Sequence, residues 1–310
     1  MSRDTERIIA RLAEPQHGNF TLAQARAVGL TPRELNRRTA AGQLERPYGR
    51  LYRVAGTPPS WQRDLLAACF AGGAHAVASH RSAAALWGFA GARTDLVEIT
   101  CPRWRRSQYD DLVVHECKAL SPSYITEVDG IPVTTPALTL LMLGAVCRPL
   151  VVEQGLDNGA RRGLLTDESV RTLLRRVGRQ GRDGAGVLRA ILRERDPDRA
   201  PCESEKETEL YALLRRHGLP LPIPQYEIFH KGLFVARCDF AYVEAKLAIE
   251  FESIQHHTGR VALERGAARR NALDEIGWDE IDVTHAALRT QGSVICRQIS
   301  AHLEPAGLLR

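Results

Sequence analysis

No run of apolar residues in this chain approaches the roughly 18 that a membrane span requires. The amino terminus, MSRDTERIIARLAE, spreads charges along an amphipathic helix instead of placing a basic stretch before an apolar one, as a signal peptide would. A cytoplasmic protein without a membrane partner is the expectation. The seven cysteines lie far apart and form no CxxC pair, which argues against a structural zinc site or a disulfide framework. Reduced, mostly buried thiols are expected. Lysine is scarce beside arginine, and the glycines at 181–186 have neither a strand before them nor a Gly-Lys-Ser/Thr after them, so they are not read as a phosphate loop. Core-forming material is not lacking. With 310 residues, 44% hydrophobic and 25% charged, the chain suits two or three globular domains.

The net charge of +5 is unevenly placed: residues 1–200 carry 29 basic against 21 acidic side chains, and residues 201–310 carry 13 against 16. The composition breaks near residue 200. A basic front half suits a polyanion, although arginine-rich surfaces are often simply solvated.

Residues 3–13 read as a first helix with Ile8, Ile9 and Leu12 on one face. Thr21 is placed to cap a helix over 22–28 that Gly29 closes, and Thr31 to cap a second one with Pro32 at its first position and Gly42 at its end. Leu44–Pro47 and Arg50–Val54 then read as two strands around Tyr48-Gly49. Helix, helix, helix and wing is the winged helix-turn-helix order. The third helix would present Arg33, Asn36, Arg37 and Arg38 to a DNA groove, and Arg46, Arg50 and Arg53 on the wing would hold backbone phosphates; a solvated helix with outward arginines is the alternative.

Beyond the wing, Trp61–Phe70 and SHRSAAALWGFAG at 79–91 read as helices, the second begun by Ser79 and stopped at Gly91. Val97–Cys101, Leu112–Glu116 and Ile131–Thr134 read as strands, and Thr135-Pro136 opens another helix. His80, Arg81 and Ser82 stand before an Ala-rich apolar run, where capping and packing explain them better than catalysis. SHRSAAALWGF, the ITCP strand and GIPVTTPALTLLML together resemble the AbiEi family of type IV antitoxins. The resemblance implies an amino-terminal winged helix that binds promoter repeats, carried over to Arg33, Asn36, Arg37 and Arg38, and a nucleotidyltransferase-like toxin as partner. Residues 148–199 read as a helical bridge.

In RCDFAYVEAKLAIEFESIQHH, at 237–257, two apolar runs read as a β-hairpin. Alternation puts Leu247, Ile249 and Phe251 on one face and Ala248, Glu250 and Glu252 on the other, so one face is expected to be core and the other acidic. Carboxylates gathered on one face repel unless a cation lies among them, and hard oxygen ligands suit Mg²⁺ or Mn²⁺. The order from Ser204 is α-β-β-β-α-β-α. SEKETELYALLRRHGL, CDFAY, KLAIEFESIQHH and LERGAARRNALDEIGWDEIDVT resemble the Vsr-like endonuclease domains of the PD-(D/E)XK superfamily. That likeness implies a metal-dependent endonuclease in which Asp239 and Glu250 hold the ion and His256 relays a proton, with Glu252 standing where many relatives have Asp. The superfamily's usual lysine is absent. Glu209, or Glu205 one helical turn away, is a candidate further metal contact, and both are equally suited to pair with basic residues on their own helix.

The expected fold class is therefore an α+β multidomain chain: a winged helix-turn-helix at 1–58, an AbiEi-like α/β module at 59–147, a helical bridge at 148–200 and a restriction-endonuclease-like α/β domain at 201–310. Two functions stay open: a DNA-binding regulator with a working nuclease, or a repressor or antitoxin whose last domain only binds DNA or protein.

Overall fold

The computed structural model describes residues 3–89, 92, 95–104, 111–118, 120–178, 182–195, 204–252 and 260–309, the side chains of residues 3, 252 and 260–265 excepted. It is a mixed α and β chain with three sheets among the described residues. The chain divides into two compact units, one made of Met1–Gly155 with Glu168–Ala190, the other of Leu156–Asp167 with Ile191–Arg310.

The first unit begins with α1 (Arg3–Ala13), β1 (Asn19–Thr21), α2 (Leu22–Ala27), α3 (Pro32–Ala40), β2 (Leu44–Glu45) and β3 (Leu51–Val54). Both expected caps form as capping boxes: Thr21 accepts from the Gln24 N–H while Gln24 returns a bond, and Thr31 does the same with Glu34. Gly29 leaves α2 at φ +84°, a conformation a side chain would strain. The three strands form an antiparallel sheet in the order β1-β3-β2, which the sequence suggested only as a two-stranded wing. Ile9, Phe20, Leu35, Leu44 and Tyr52 fill the core beneath it.

The same unit continues with α4 (Trp61–Gly72), β4 (Val77–Ala78), α5 (His80–Leu86), β5 (Val97–Cys101), β6 (Leu112–Glu116), β7 (Ile125–Val128), β8 (Ile131–Thr134) and α6 (Pro136–Val146). Strands β5, β6 and β8 occupy their expected residues. The short β4 was not expected, yet it is the centre of a five-stranded sheet ordered β6-β5-β4-β8-β7. Helix α5 stops at Leu86, short of Gly91, which lies outside the described residues. The bridge folds as α7 (Pro149–Arg161), α8 (Asp167–Val177) and α9 (Ala185–Glu194).

In the second unit come α10 (Glu205–Arg216), β9 (Ile223–His230), β10 (Leu233–Tyr242), β11 (Leu247–Glu252), α11 (Arg260–Glu275), β12 (Asp279–Thr284), α12 (His285–Thr290) and α13 (Gly292–Leu303); the single closing helix expected is thus two. The sheet runs β12-β11-β10-β9, antiparallel except for the parallel pair β11 and β12 joined through α11. Core lies on both faces. Phe240, Leu247 and Ile249 pack with α10, α12 and α13, while Cys238, Ala241 and Ala248 pack with Leu273 of α11 and Trp278. The expectation of one apolar and one acidic face is corrected accordingly: small residues at 241 and 248 let α11 cover the second face, and the acids gather at one end of it.

The six cysteines among the described residues are free, and four of them are buried. No helix among the described residues is long and apolar enough to cross a membrane.

Candidate functional sites

The first candidate surface is the outer face of α3. A helix with its capping box formed presents residues three and four apart on one side, and Arg33, Asn36 and Arg37 accordingly stand exposed together. Arg38 corrects the expectation. It lies three residues beyond the buried Leu35, on the core side, and is only 5% exposed, with Nη1 donating to Gln43 Oε1 at 3.3 Å. In the hairpin, Arg50 is exposed, whereas Arg53 is not available for phosphate. It occupies the central strand opposite both Asn19 and Glu45 and is buried, donating from Nε to Asn19 Oδ1 at 3.1 Å and from Nη2 to Asp64 Oδ1 at 2.8 Å. Arg46 donates to the Tyr52 hydroxyl at 3.2 Å, its guanidinium 5.1 Å from the ring centre.

The second candidate is the acidic end of the carboxyl-terminal sheet. Asp239 on β10 accepts the Phe251 N–H through Oδ2 at 2.8 Å, tying the two acidic strands together. Its other oxygen accepts from Gln225 Nε2 at 3.4 Å, and the same amide donates to Glu207 Oε2 at 3.1 Å. Gln225 has φ +51° within β9. A residue other than glycine held there marks stored strain, which concentrates at functional sites.

Glu207, not Glu209, reaches this group. It is 3% exposed on α10, while Glu209 turns away with Oε2 4.0 Å from His285 Nε2. Glu205 and Glu209 were singled out because four-residue spacing is conspicuous; Glu207 falls on the helix face shared with the buried Leu210, Tyr211 and Leu214, and that apolar stripe was the signal that could have found it.

Glu250 on β11 pairs with Arg269 of α11, whose Nη2 also lies 3.8 Å from Glu280 Oε2. Arg270 sits 3.8 Å from Asp282 in the same way. Burial pushes the Glu250 carboxyl up to about 7; Arg269 pulls it back, and Asp239 and Glu280 push it further. Burial likewise raises Glu280. Arg269 Nε and Glu280 Oε2 are buried with no hydrogen-bond partner among the described residues, a deficit that points to a site wanting another charged group. In kind, these oxygens fit a hard divalent cation. As placed, Arg269 supplies the positive charge they need, and the three carboxylates of Glu207, Asp239 and Glu250 do not close on one point within 4.8 Å. Glu252 ends β11 opposite Thr284; its side chain, and all of His256, lie outside the described residues.

Residues 7–54 match the protein family described as transcriptional regulator, AbiEi antitoxin. The match runs from within α1 to the end of β3, the part that carries the exposed α3 arginines. Over 277 residues, 89% of this chain and 98% of theirs, the chain is 29% identical to two Mycobacterium tuberculosis proteins, uncharacterized protein MT2308 of strain CDC 1551 / Oshkosh and uncharacterized protein Rv2248 of strain ATCC 25618 / H37Rv.

Proposed function

We propose that this chain is a DNA-binding regulator of the AbiEi antitoxin type whose carboxyl-terminal unit carries a metal-dependent phosphodiesterase site. The observation that carries the first half is the coincidence of the antitoxin match at 7–54 with an exposed Arg33, Asn36 and Arg37 face. Helices α2 and α3 with the β2–β3 hairpin are read as a winged helix-turn-helix, α3 entering the major groove. Arginine forks suit guanine edges, the Asn36 amide suits adenine, and Arg50 at the hairpin turn suits phosphate. The antitoxin likeness also makes a nucleotidyltransferase-like toxin a candidate protein partner. Selection from random duplexes tests the reading: wild type should enrich a sequence motif and Arg33→Ala/Arg37→Ala should not. Enrichment of the same motif by both proteins would remove α3 from the account.

The second half rests on the strained, partly orphaned acidic group. The order α10, β9, β10, β11, α11, β12 is the one expected of a Vsr-like endonuclease core. Asp239 and Glu250 would hold Mg²⁺ or Mn²⁺, with Glu207 behind them. The ion would supply Lewis-acid polarisation of the phosphoryl oxygen and a lowered pKa for an attacking water. The Phe251 N–H and the Gln225 amide keep Asp239 in one orientation, and Arg269, released from Glu250, would face the charge that develops on phosphate. Supercoiled plasmid with Mn²⁺ is the test, nicking being expected in wild type and lost in Asp239→Ala. Equal nicking by both sinks the nuclease, and intact DNA binding without cleavage under any divalent ion supports the rival reading of a last domain that only binds.

A further inference from the structure

Within the first unit, the five-stranded sheet brings two histidines and a fully buried glutamate to one point. Strands β5 and β6 are parallel with Thr100 opposite His115, so Glu98, one pleat away, shares the face on which His115 stands. Ser79, at the end of β4, bonds its N–H to the Glu98 carbonyl at 3.1 Å and delivers His80 as the first residue of α5. Glu98 is 0% exposed and His80 6%, while the His115 side chain remains 30% exposed and leaves a path from solvent.

We propose that His80, Glu98 and His115 form a binding site for a first-row transition metal ion of the Zn²⁺ class. Their donor atoms all lie within 4.8 Å of one another, and no other three described residues of suitable type converge so closely. Ligands about 2.0–2.1 Å from a tetrahedral centre stand about 3.3 Å apart. His115 Nε2 and Glu98 Oε1, now 2.9 Å apart as a hydrogen bond, need open only slightly to admit the ion.

The surroundings bear on the task in three respects. Glu98 Oε2 accepts the Arg81 N–H at 2.9 Å, which fixes the carboxylate and leaves Oε1 toward the histidines. His80 Nδ1 is engaged by Ser79 Oγ at 2.9 Å, and Ser79 Oγ accepts from Thr100 at 2.8 Å, so a relay behind the ring orients it and leaves Nε2 for the ion. Finally, His80 has φ +51°, an uncommon setting for a residue other than glycine, and its ring, now stacked on that of His115 with centroids 3.6 Å apart, would turn away from it so that both lone pairs meet the ion.

The identity of the ion follows from the donors. Two imidazoles and one carboxylate suit Zn²⁺ and its neighbours and are poor for Mg²⁺. Arg81 also donates to Glu98 Oε1 at 3.3 Å and to the Val146 carbonyl at 2.7 Å. Its guanidinium gives the loaded site a net positive charge, so the remaining open position favours an anionic ligand. This site is distinct in kind from the all-oxygen acidic group of the other unit, and neither depends on the other.

The test uses the full chain, stripped with chelator and titrated with Zn²⁺ by calorimetry in excess Mg²⁺, and with Co²⁺ by visible absorption. One equivalent should bind, with Co²⁺ d–d bands that Zn²⁺ abolishes. His115→Ala, partly exposed and tolerant of truncation, should weaken Zn²⁺ by more than the roughly 10–100-fold that loss of an outer-shell partner costs. Asp239→Ala should leave binding unchanged. Zn²⁺ should raise the melting temperature of wild type and not of His115→Ala. Absence of stoichiometric binding, or wild-type affinity in folded His115→Ala, overturns the proposal.

Discussion

Two glutamates of this chain, Glu98 buried and Glu250 half-buried, stand in opposite electrostatic states. Glu98 is the more deeply buried, and burial alone would push its carboxyl up, yet the His115 hydrogen bond, the Arg81 N–H and the nearby His80 and Arg81 hold it below its ordinary value. Glu250 is less enclosed and is nevertheless raised to about 7: burial pushes it up most, Arg269 offsets only part of that, and Asp239 and Glu280 add to it. Depth of burial alone does not decide the charge of a carboxylate. The partners can outweigh it, as they do at Glu98 and do not at Glu250.

The sharpest way to break the contrast is Glu98→Gln in chelated protein. Gln keeps the shape but takes the charge from a group whose Oε1 meets Arg81 Nη1 and His115 Nε2 while Oε2 accepts the Arg81 backbone N–H, so unfolding in urea should show a loss of about 3 kcal/mol, within the range for breaking buried ionic pairs. Arg269→Met should cost less, about 2 kcal/mol, because both partners of that pair keep some contact with solvent. It should also increase the metal-free pull of the acidic group for Mn²⁺, read as tighter binding by calorimetry.

The pH profile separates the two glutamates by sign. Glu250 has a folded pKa above its unfolded one, so its contribution is fully present below about 4.5 and is lost as pH rises through about 7. Glu98 is lowered, so its contribution is present above about 4.5 and lost only on further acidification. Thermal unfolding of metal-free protein between pH 5 and 8 should decline with pH, and Glu250→Gln should flatten that decline. The smallest effect belongs to a third glutamate, Glu34, fully exposed and lowered by hydrogen bonds from the Thr31 backbone and hydroxyl. Gln can accept the same bonds, so Glu34→Gln should leave the melting temperature nearly unchanged, and a large shift would show that exposed and buried acids are not to be distinguished in this way.

Much of the architecture was legible because its signals are local. Thr21, Thr31, Pro32, Gly29 and Gly42 punctuate α2 and α3 where they fall, and β5, β6 and β8 follow from short β-branched runs between turns. Asp239 and Glu250 were found from alternation on neighbouring strands. What escaped reading depends on long-range packing. The dipeptide strand β4 has too little sequence to announce itself, and Gln225 acquires its role only when β9 lies beside β10. Glu207 was overlooked for its neighbours, although its place on the apolar stripe of α10 with Leu210, Tyr211 and Leu214 already marked it as inward-facing. Arg38 shows the opposite error: its three-residue spacing from Leu35 already placed it on the inner face, and grouping it with Arg37 by adjacency overrode helical geometry. His80, Glu98 and His115 are separated by two intervening segments, and only the parallel pairing of β5 with β6 joins them.

In the proposed DNA complex the exposed Arg33 and Arg37 of α3, and not the buried Arg38 and Arg53, meet the duplex. The most direct measurement is the slope of log affinity against log salt for a fixed duplex, with wild type and Arg33→Ala/Arg37→Ala compared by fluorescence anisotropy. If both residues neutralise phosphate or sit in the groove's field, the double variant should bind more weakly and the slope should fall in magnitude by about 2. An unchanged affinity and an unchanged slope in a folded double variant would contradict the account.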